Sequence, residues 1–214
     1  MLRVLVLALT LSFVLSAQLE KKNFIAGLGG LAILSGDAKA AFSQGAVASF
    51  SSPKDGLALN LAAGHHFNNW VSAQGNYLFN RNDVTLNGVS GNTFYSAVNQ
   101  SRQHQIVFDG MLYVRPLSSR IRPYLSVGFA MVQASRNQVS FVGTAAVVPT
   151  PKASEWHPGL RSAVGMDLTI KPGWAFRYSF SETLTGNLFS RSLVPPAQKH
   201  LMNFHHLLGV VRSF

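Results

Sequence analysis

Several stretches of this chain alternate large apolar residues with small or polar ones at a period of two, and no other feature restricts its fold as tightly. In residues 103–115 the even positions are His104, Ile106, Phe108, Gly110, Leu112 and Val114. The odd positions are Gln103, Gln105, Val107, Asp109, Met111, Tyr113 and Arg115. A strand sends successive side chains to opposite faces, whereas a helix would mix these two sets. The same segregation sets Leu125, Val127, Phe129 and Met131 against Tyr124, Ser126, Gly128 and Ala130. It sets Leu160, Val164, Met166, Leu168 and Ile170 against Arg161, Ala163, Gly165, Asp167 and Thr169. It sets Trp174, Phe176, Tyr178 and Phe180 against Ala175, Arg177, Ser179 and Ser181. Leu57, Leu59, Leu61 and Ala63 alternate with Ala58, Asn60, Ala62 and Gly64, and Val71, Ala73, Tyr77 and Phe79 with Ser72, Gln74, Asn76 and Asn80. Residues 202–214 place Phe204, Leu208, Val210 and Phe214 on one face. Residues 24–34 are apolar and glycine-rich on both sides and give no phase, but they complete a set of eight strands.

The connections alternate in length. Short ones fall near 68–69, 117–120 and 171–173, and long ones at 35–56, 81–101, 136–157 and 186–199. All nine prolines are expected in connections or at strand edges, where no ladder donor is needed. Within the first long connection, residues 46–51 are expected to extend a strand above the membrane. Composition decides what the apolar faces meet. The chain is 47% hydrophobic and only 12% charged, with no cysteine. Soluble domains carry about 25% charge, and disordered chains are far less apolar. The missing cysteine removes disulfide frameworks, thiol nucleophiles, cysteine-built zinc sites and lipoprotein anchors. One continuous apolar run, residues 4–15, follows the basic start Met1-Leu2-Arg3 and precedes Ser16-Ala17-Gln18. It is short for a spanning helix and has the layout of a secretory signal peptide, expected over residues 1–17, with 18–214 as the mature domain.

An exported chain without helical spans enters a membrane only as a closed barrel, since lipid leaves no backbone group unpaired. Short and long connections in turn, with an even strand count, give an all-β fold: an eight-stranded antiparallel up-and-down transmembrane β-barrel with both termini periplasmic. The outward aromatics Tyr77, Phe79, Trp174, Phe176 and Phe214 lie near strand ends, where interfacial girdles form. The opposite face is small (Gly64, Gly128, Gly165, Ala130, Ala163), which suits a narrow lumen. A soluble, lipocalin-like secreted barrel is the alternative.

With these features, the chain resembles the OmpA-like and OmpX-like superfamily of eight-stranded outer-membrane barrels over essentially its whole mature length. The residues that carry the resemblance are the leader, the hairpin rhythm, Arg122-Pro123-Tyr124-Leu125-Ser126-Val127-Gly128 and the terminal Phe214. The resemblance implies an outer-membrane location, contact with outer-membrane lipids and lipopolysaccharide, and assembly by periplasmic chaperones and the barrel-assembly machinery. It makes Phe214 the assembly signal, and a monomer is expected. One departure is Arg212, on the lipid phase where such barrels usually carry an apolar residue; near an interface it can snorkel at about 0–1 kcal/mol.

Candidate chemistry lies mainly on the inward phase, with a lumen polar network of Asp109, Arg115, Arg161, Asp167 and Arg177. If Ile170 faces Trp174 across the turn at 171–173, Asp167 faces Arg177. Eight strands enclose a bore that side chains fill, so the network is expected to plug the barrel and not to conduct. His65-His66 and His205-His206 are adjacent pairs whose rings point to opposite faces, poor spacing for chelation, so no metal or other cofactor is expected. Some small outer-membrane barrels modify lipid A with a Ser–His–Glu/Asp constellation. Here Ser179, Ser181 and Glu182 are available, but Ser179 and Ser181 fall on the inward phase and their strand carries no histidine; Glu155 and His157 are the nearest helpers. The function expected is structural, adhesive or loop-mediated binding without enzyme activity, with a lipid-modifying enzyme as the alternative. The excess of basic residues, 18 against 8 acidic, is dispersed around two rims, including Arg120 and Arg122 at the inner one. That dispersal favours anionic lipid headgroups and excludes a nucleic-acid patch.

Overall fold

Ten strands are present in the computed structural model, which describes residues 22–34, 41–44, 47–90, 93–143, 154–186 and 200–214. They are β1 Asn23–Leu34, β2 Ala41–Gln44, β3 Val47–Pro53, β4 Gly56–His66, β5 Val71–Ser90, β6 Thr93–Tyr113, β7 Ile121–Gly143, β8 Ser154–Lys171, β9 Trp174–Gly186 and β10 His200–Ser213. Eight of them close into a ring. β1 bonds β4 on one side and β10 on the other, and antiparallel pairings from β4–β5 and β5–β6 through to β9–β10 complete the circle. Closure leaves no unpaired ladder edge where the barrel meets lipid.

The register fixes the barrel's shape. A row of cross-strand partners starting at Ile33 runs through Phe204, Glu182, Ser162, Val127, Gly110, Ala73 and His65 and returns to β1 at Asn23. The row comes back ten residues from its start. With strands about 4.8 Å apart and residues about 3.3 Å apart, that stagger over eight strands tilts them by about 40°. A barrel so small has room inside for side chains only.

The faces are inverted relative to a soluble domain. Leu61, Phe108 and Val127 are 65–68% exposed, while Asn80, Gln105, Asp167 and Ser181 are fully buried. The phase of β1 is now set: Phe24, Ala26, Leu28, Ala32 and Leu34 point inward, and Ile25 and Leu31 outward. Short connections tie the strands at one end, where both described termini lie. In one of them the Asn68 carboxamide oxygen accepts from the backbone N–H of Trp70 and of Val71, both at 2.8 Å.

Three expectations about connections need correction. Residues 81–101 are mostly strand, not loop: β5 and β6 pair from Val71↔Leu112 out to Ser90↔Thr93. Beyond the apolar band the outward face of this hairpin turns polar, as at Arg81, Asp83 and Gln100, while Asn82, Val84 and Ser101 stay buried on the inward one, so the hydropathy contrast between the faces fades. β3 pairs with the outer half of β5, β2 pairs with β3, and the outer half of β7 pairs with β6, so the same sheet continues beyond the ring. β7 and β8 likewise extend into 136–157. Third, Pro158 lies inside β8, opposite Met131 of β7. The β8–β9 ladder starts one residue later, at Gly159↔Thr185, so the missing N–H falls beyond that ladder and removes no bond from it.

Candidate functional site

The lumen is filled in layers. At the short-turn end Phe24, Ala26, Ala62, Met111, Tyr113, Tyr124, Ala175 and Val211 form an apolar cluster. His66 closes it from the side, stacked 4.7 Å from the Phe24 ring and 2.6 Å through Nδ1 from the Ser72 hydroxyl.

Above this floor lies a charged layer. Asp167 and Arg177 are direct cross-strand partners, and Arg177 donates as a fork, Nε to Oδ1 at 2.7 Å and Nη2 to Oδ2 at 2.9 Å. Arg122 donates to the same carboxylate at 3.3 Å and Tyr113 at 3.2 Å. Arg177 is sandwiched between the rings of Phe24, at 5.3 Å, and Tyr124, at 5.0 Å. Its Nη1 donates to Gln74 Oε1 at 3.1 Å, and Gln74 Nε2 donates to Asp109 Oδ2 at 3.1 Å. Asp109 also accepts from Asn76 and is ion-paired with Arg161. One connected network therefore crosses the bore. Its three arginines and two aspartates are all at most 6% exposed.

Two glycines make this layer possible. Gly128 sits between Asp109 and Arg161 in one cross-strand row; a Cβ there would lie 2.3 Å from Asp109 Oδ1 and 2.2 Å from the Phe108 carbonyl. Gly165 plays the same part beneath the Tyr124 ring, 2.4 Å from where its Cβ would be. The ion pair thus passes over β7 because that position has no side chain.

Next comes a neutral amide layer. Asn203 Nδ2 donates to Gln103 Oε1 at 2.7 Å, Gln105 Nε2 to Asn80 Oδ1 at 3.3 Å, and Thr183 to Gln105 Oε1 at 3.2 Å. Apolar clusters of Leu28, Ala32, Ala58, Leu78 and Leu207, of Val107, Ala130 and Val132, and of Leu34, Val84 and Leu201 are buried in the bore beside these polar layers.

Of the five lumen residues expected, Asp109, Arg161, Asp167 and Arg177 come together and Arg115 does not. β6 ends at Tyr113, and Arg115 lies beyond the ladder in the turn, exposed to solvent. Alternation has no meaning past the last paired residue. Arg122, assigned to the rim by its charge, belongs to the network instead. Its parity with Tyr124 and Ser126 was the available signal, as was that of Tyr113 with Asp109. Asp167 does face Arg177, but Ile170 does not face Trp174, because a register shift between Thr169 and Lys171 sets Lys171 opposite Trp174.

Ser179 and Ser181 face the lumen, and Ser181 is opposite the buried His205. On the outer face Ser162 and Glu182 are cross-strand partners, while His206 lies on β10 with Nδ1 3.0 Å from the Tyr178 hydroxyl. Glu182 lies between the Ser162 strand and the His206 strand, so the histidine is two strands from the serine and cannot act on it as a base within hydrogen-bond reach. Glu155 and His157 lie at the far end of β8, opposite Ala134 and Val132. The two histidine pairs are held apart along β1, His65 opposite Asn23 and His205 opposite Ala32. Phe214 exchanges backbone hydrogen bonds with Asn23 at 2.9 and 3.1 Å, closing the seam between first and last strands. Its ring is exposed.

The family profile described as Outer membrane protein beta-barrel domain matches residues 4–214. The chain belongs to this family. Among solved structures this outer-membrane barrel is similar to Neisserial surface protein A, at TM-score 0.53 and 12% identity, covering 90% of this chain and 97% of that one. It is similar to the outer membrane protein OprG from Pseudomonas aeruginosa, at TM-score 0.57 and 13% identity, covering 91% and 96%. At such identity the likeness concerns the fold, a closed eight-stranded barrel. No curated protein matches the chain in sequence. As a member of the family, the protein resides in the outer membrane.

Proposed function

We propose that this outer-membrane barrel is a closed, non-conducting body whose role is structural or adhesive, exercised through the sheet that β2, β3 and the outer halves of β5, β6 and β7 build beyond the ring. The observation that carries this reading is the layered lumen: charged, amide and apolar layers obstruct the bore in series, so transport has no path while the outer sheet remains available. Residues 1–17 act as the leader, both termini and the short turns face the periplasm, and the outer sheet faces the exterior. Phe214 serves as the assembly signal read by the barrel-assembly machinery after periplasmic chaperones deliver the chain.

Two measurements test this. Purified protein in planar bilayers is expected to give no steady unitary current; a reproducible conductance level sinks the closed-barrel reading. A variant in which residues 86–97 are replaced by Asn-Gly keeps the register at Thr85↔Val98. It is expected to remain heat-modifiable on gels and to lose whatever cell or matrix attachment the intact protein confers on a non-adherent host. Unchanged attachment removes the outer sheet from the function. A lipid-modifying activity would instead appear as acyl-chain loss from lipopolysaccharide mixed with the purified protein, abolished by Ser181→Ala.

A further inference from the structure

Arg212 is on the lipid phase of the last strand, where a charge has no place in a simple apolar belt. It is exposed, and its guanidinium carbon lies 4.8 Å from the centroid of the Trp174 ring. The same indole is approached by Lys171, whose Nζ is 5.6 Å from the centroid. These three residues form one cross-strand row at the short-turn rim, Arg212↔Trp174 on β10–β9 and Trp174↔Lys171 on β9–β8.

The row depends on an irregularity. Continuing the register from Thr169↔Ala175 would put Ile170 opposite Trp174. The shift skips Ile170 and delivers Lys171 to that position. An extra residue of this kind re-aims a side chain. Gly173, with φ of 79°, closes the turn, and the Ser213 N–H donates to the Gly173 carbonyl at 2.8 Å, fastening the end of β10 to it. Both cations are thus mounted on paired backbone. The rest of this rim adds Lys22, Arg115 and Arg120, and no aspartate or glutamate among its described residues is exposed. The acids nearest in the barrel, Asp109 and Asp167, are buried against their own arginines.

We propose that Arg212, Lys171 and Trp174 form a headgroup site for an anionic glycerophospholipid in the leaflet that meets the short-turn rim. This rests on the membrane orientation proposed above. The guanidinium fork donates to the phosphodiester oxygens, Lys171 adds a second cation, and the indole N–H sits at the depth of the glycerol ester groups, as interfacial tryptophans do. Beneath the row, Phe176, Val210, Leu208 and Ile170 present an exposed apolar wall along which an acyl chain lies. Phosphatidylethanolamine balances its phosphodiester with its own ammonium, which two rim cations repel. Phosphatidylglycerol keeps one net negative charge, which both cations attract.

Native mass spectrometry of the full-length detergent-purified protein, mixed with equal amounts of phosphatidylglycerol and phosphatidylethanolamine, tests the site. The wild type is expected to retain phosphatidylglycerol preferentially. Affinity should fall about fivefold for Lys171→Gln or Arg212→Gln alone and about thirtyfold for the pair, taking a surface cation at its usual worth. Equal retention of the two lipids by the wild type, or wild-type retention by the double variant, overturns the proposal. Displacement of the lipid by millimolar inorganic phosphate also overturns it, since the site would then read a free anion. Heat-modifiable migration certifies each variant as folded; should the pair fail, Lys171→Gln in the turn decides alone. Orientation is read separately. The chain has no cysteine, so Asn69→Cys reports its side of the membrane to an impermeant maleimide. Labelling on intact cells would reverse the orientation and overturn the leaflet assignment while leaving the measured lipid preference intact.

Discussion

Gly128 and Asp167 show how much a single residue decides in this lumen. Asp167 accepts from two arginines and a tyrosine, all buried. Removing one partner of a buried ion pair costs far more than removing both, because the remaining charge keeps its desolvation penalty and loses its compensation. Asp167→Asn should therefore lower unfolding free energy in urea by about 3–5 kcal/mol, whereas the joint change of Asp167→Leu with Arg177→Met and Arg122→Met, which leaves no unpaired charge at this carboxylate, should recover much of that loss. Tryptophan fluorescence of the folded protein in micelles, followed through urea titration, measures both. Gly128→Val puts two methyl groups into the space crossed by the Asp109–Arg161 pair. A cost of about 1–3 kcal/mol is expected for overpacking, with more if Arg161 loses its carboxylate. A fold unaffected by Gly128→Val would show that the pair does not need the gap.

At the scale of strands, the lipid face is almost uniformly apolar, and its exceptions are informative. Glu182 points outward on β9 between Phe180 and Leu184 of the same face, with no hydrogen bond or ion pair among the described residues. A lipid-facing carboxylate costs stability with no compensating contact here, so Glu182→Leu should stabilise the barrel by about 1 kcal/mol. A stability loss on that substitution, in the same urea titration, would show that the carboxylate has a partner in the membrane. The strands themselves were legible where one face met lipid and the other a packed bore, because that contrast is what writes alternation into sequence. It was not legible in the outer half of β5–β6, where the outward face is polar too, as at Arg81, Asp83 and Gln100, nor at the bulge that brings Lys171 to Trp174, which shifts register without changing composition. The four lumen charges were readable from parity alone. Arg115 escapes the network because parity says nothing of where the ladder stops, and Arg122 joins it because, near the rim as it is, it shares the inward parity of Tyr124 and Ser126.

For the whole molecule, the stagger of ten over eight strands sets the bore, and the bore makes occlusion redundant. The Asp109–Arg161 pair invites the view that it is a gate whose opening would admit ions. The layers argue otherwise. Below the pair lie Arg177 between two aromatic rings and the Phe24, Tyr113 and Tyr124 floor; above it lie the amides of Gln103, Gln105 and Asn203 and the leucines Leu28, Leu78 and Leu207. Cutting one layer leaves the others in place, and close-packed neighbours relax only partly into the space released. Asp109→Ser combined with Arg161→Ser should accordingly remain electrically silent in planar bilayers, although it removes a charge of each sign from the lumen. A steady current in that double variant, with the barrel still heat-modifiable, would make the ion pair the sole obstruction and turn the protein from a plugged body into a gated pore.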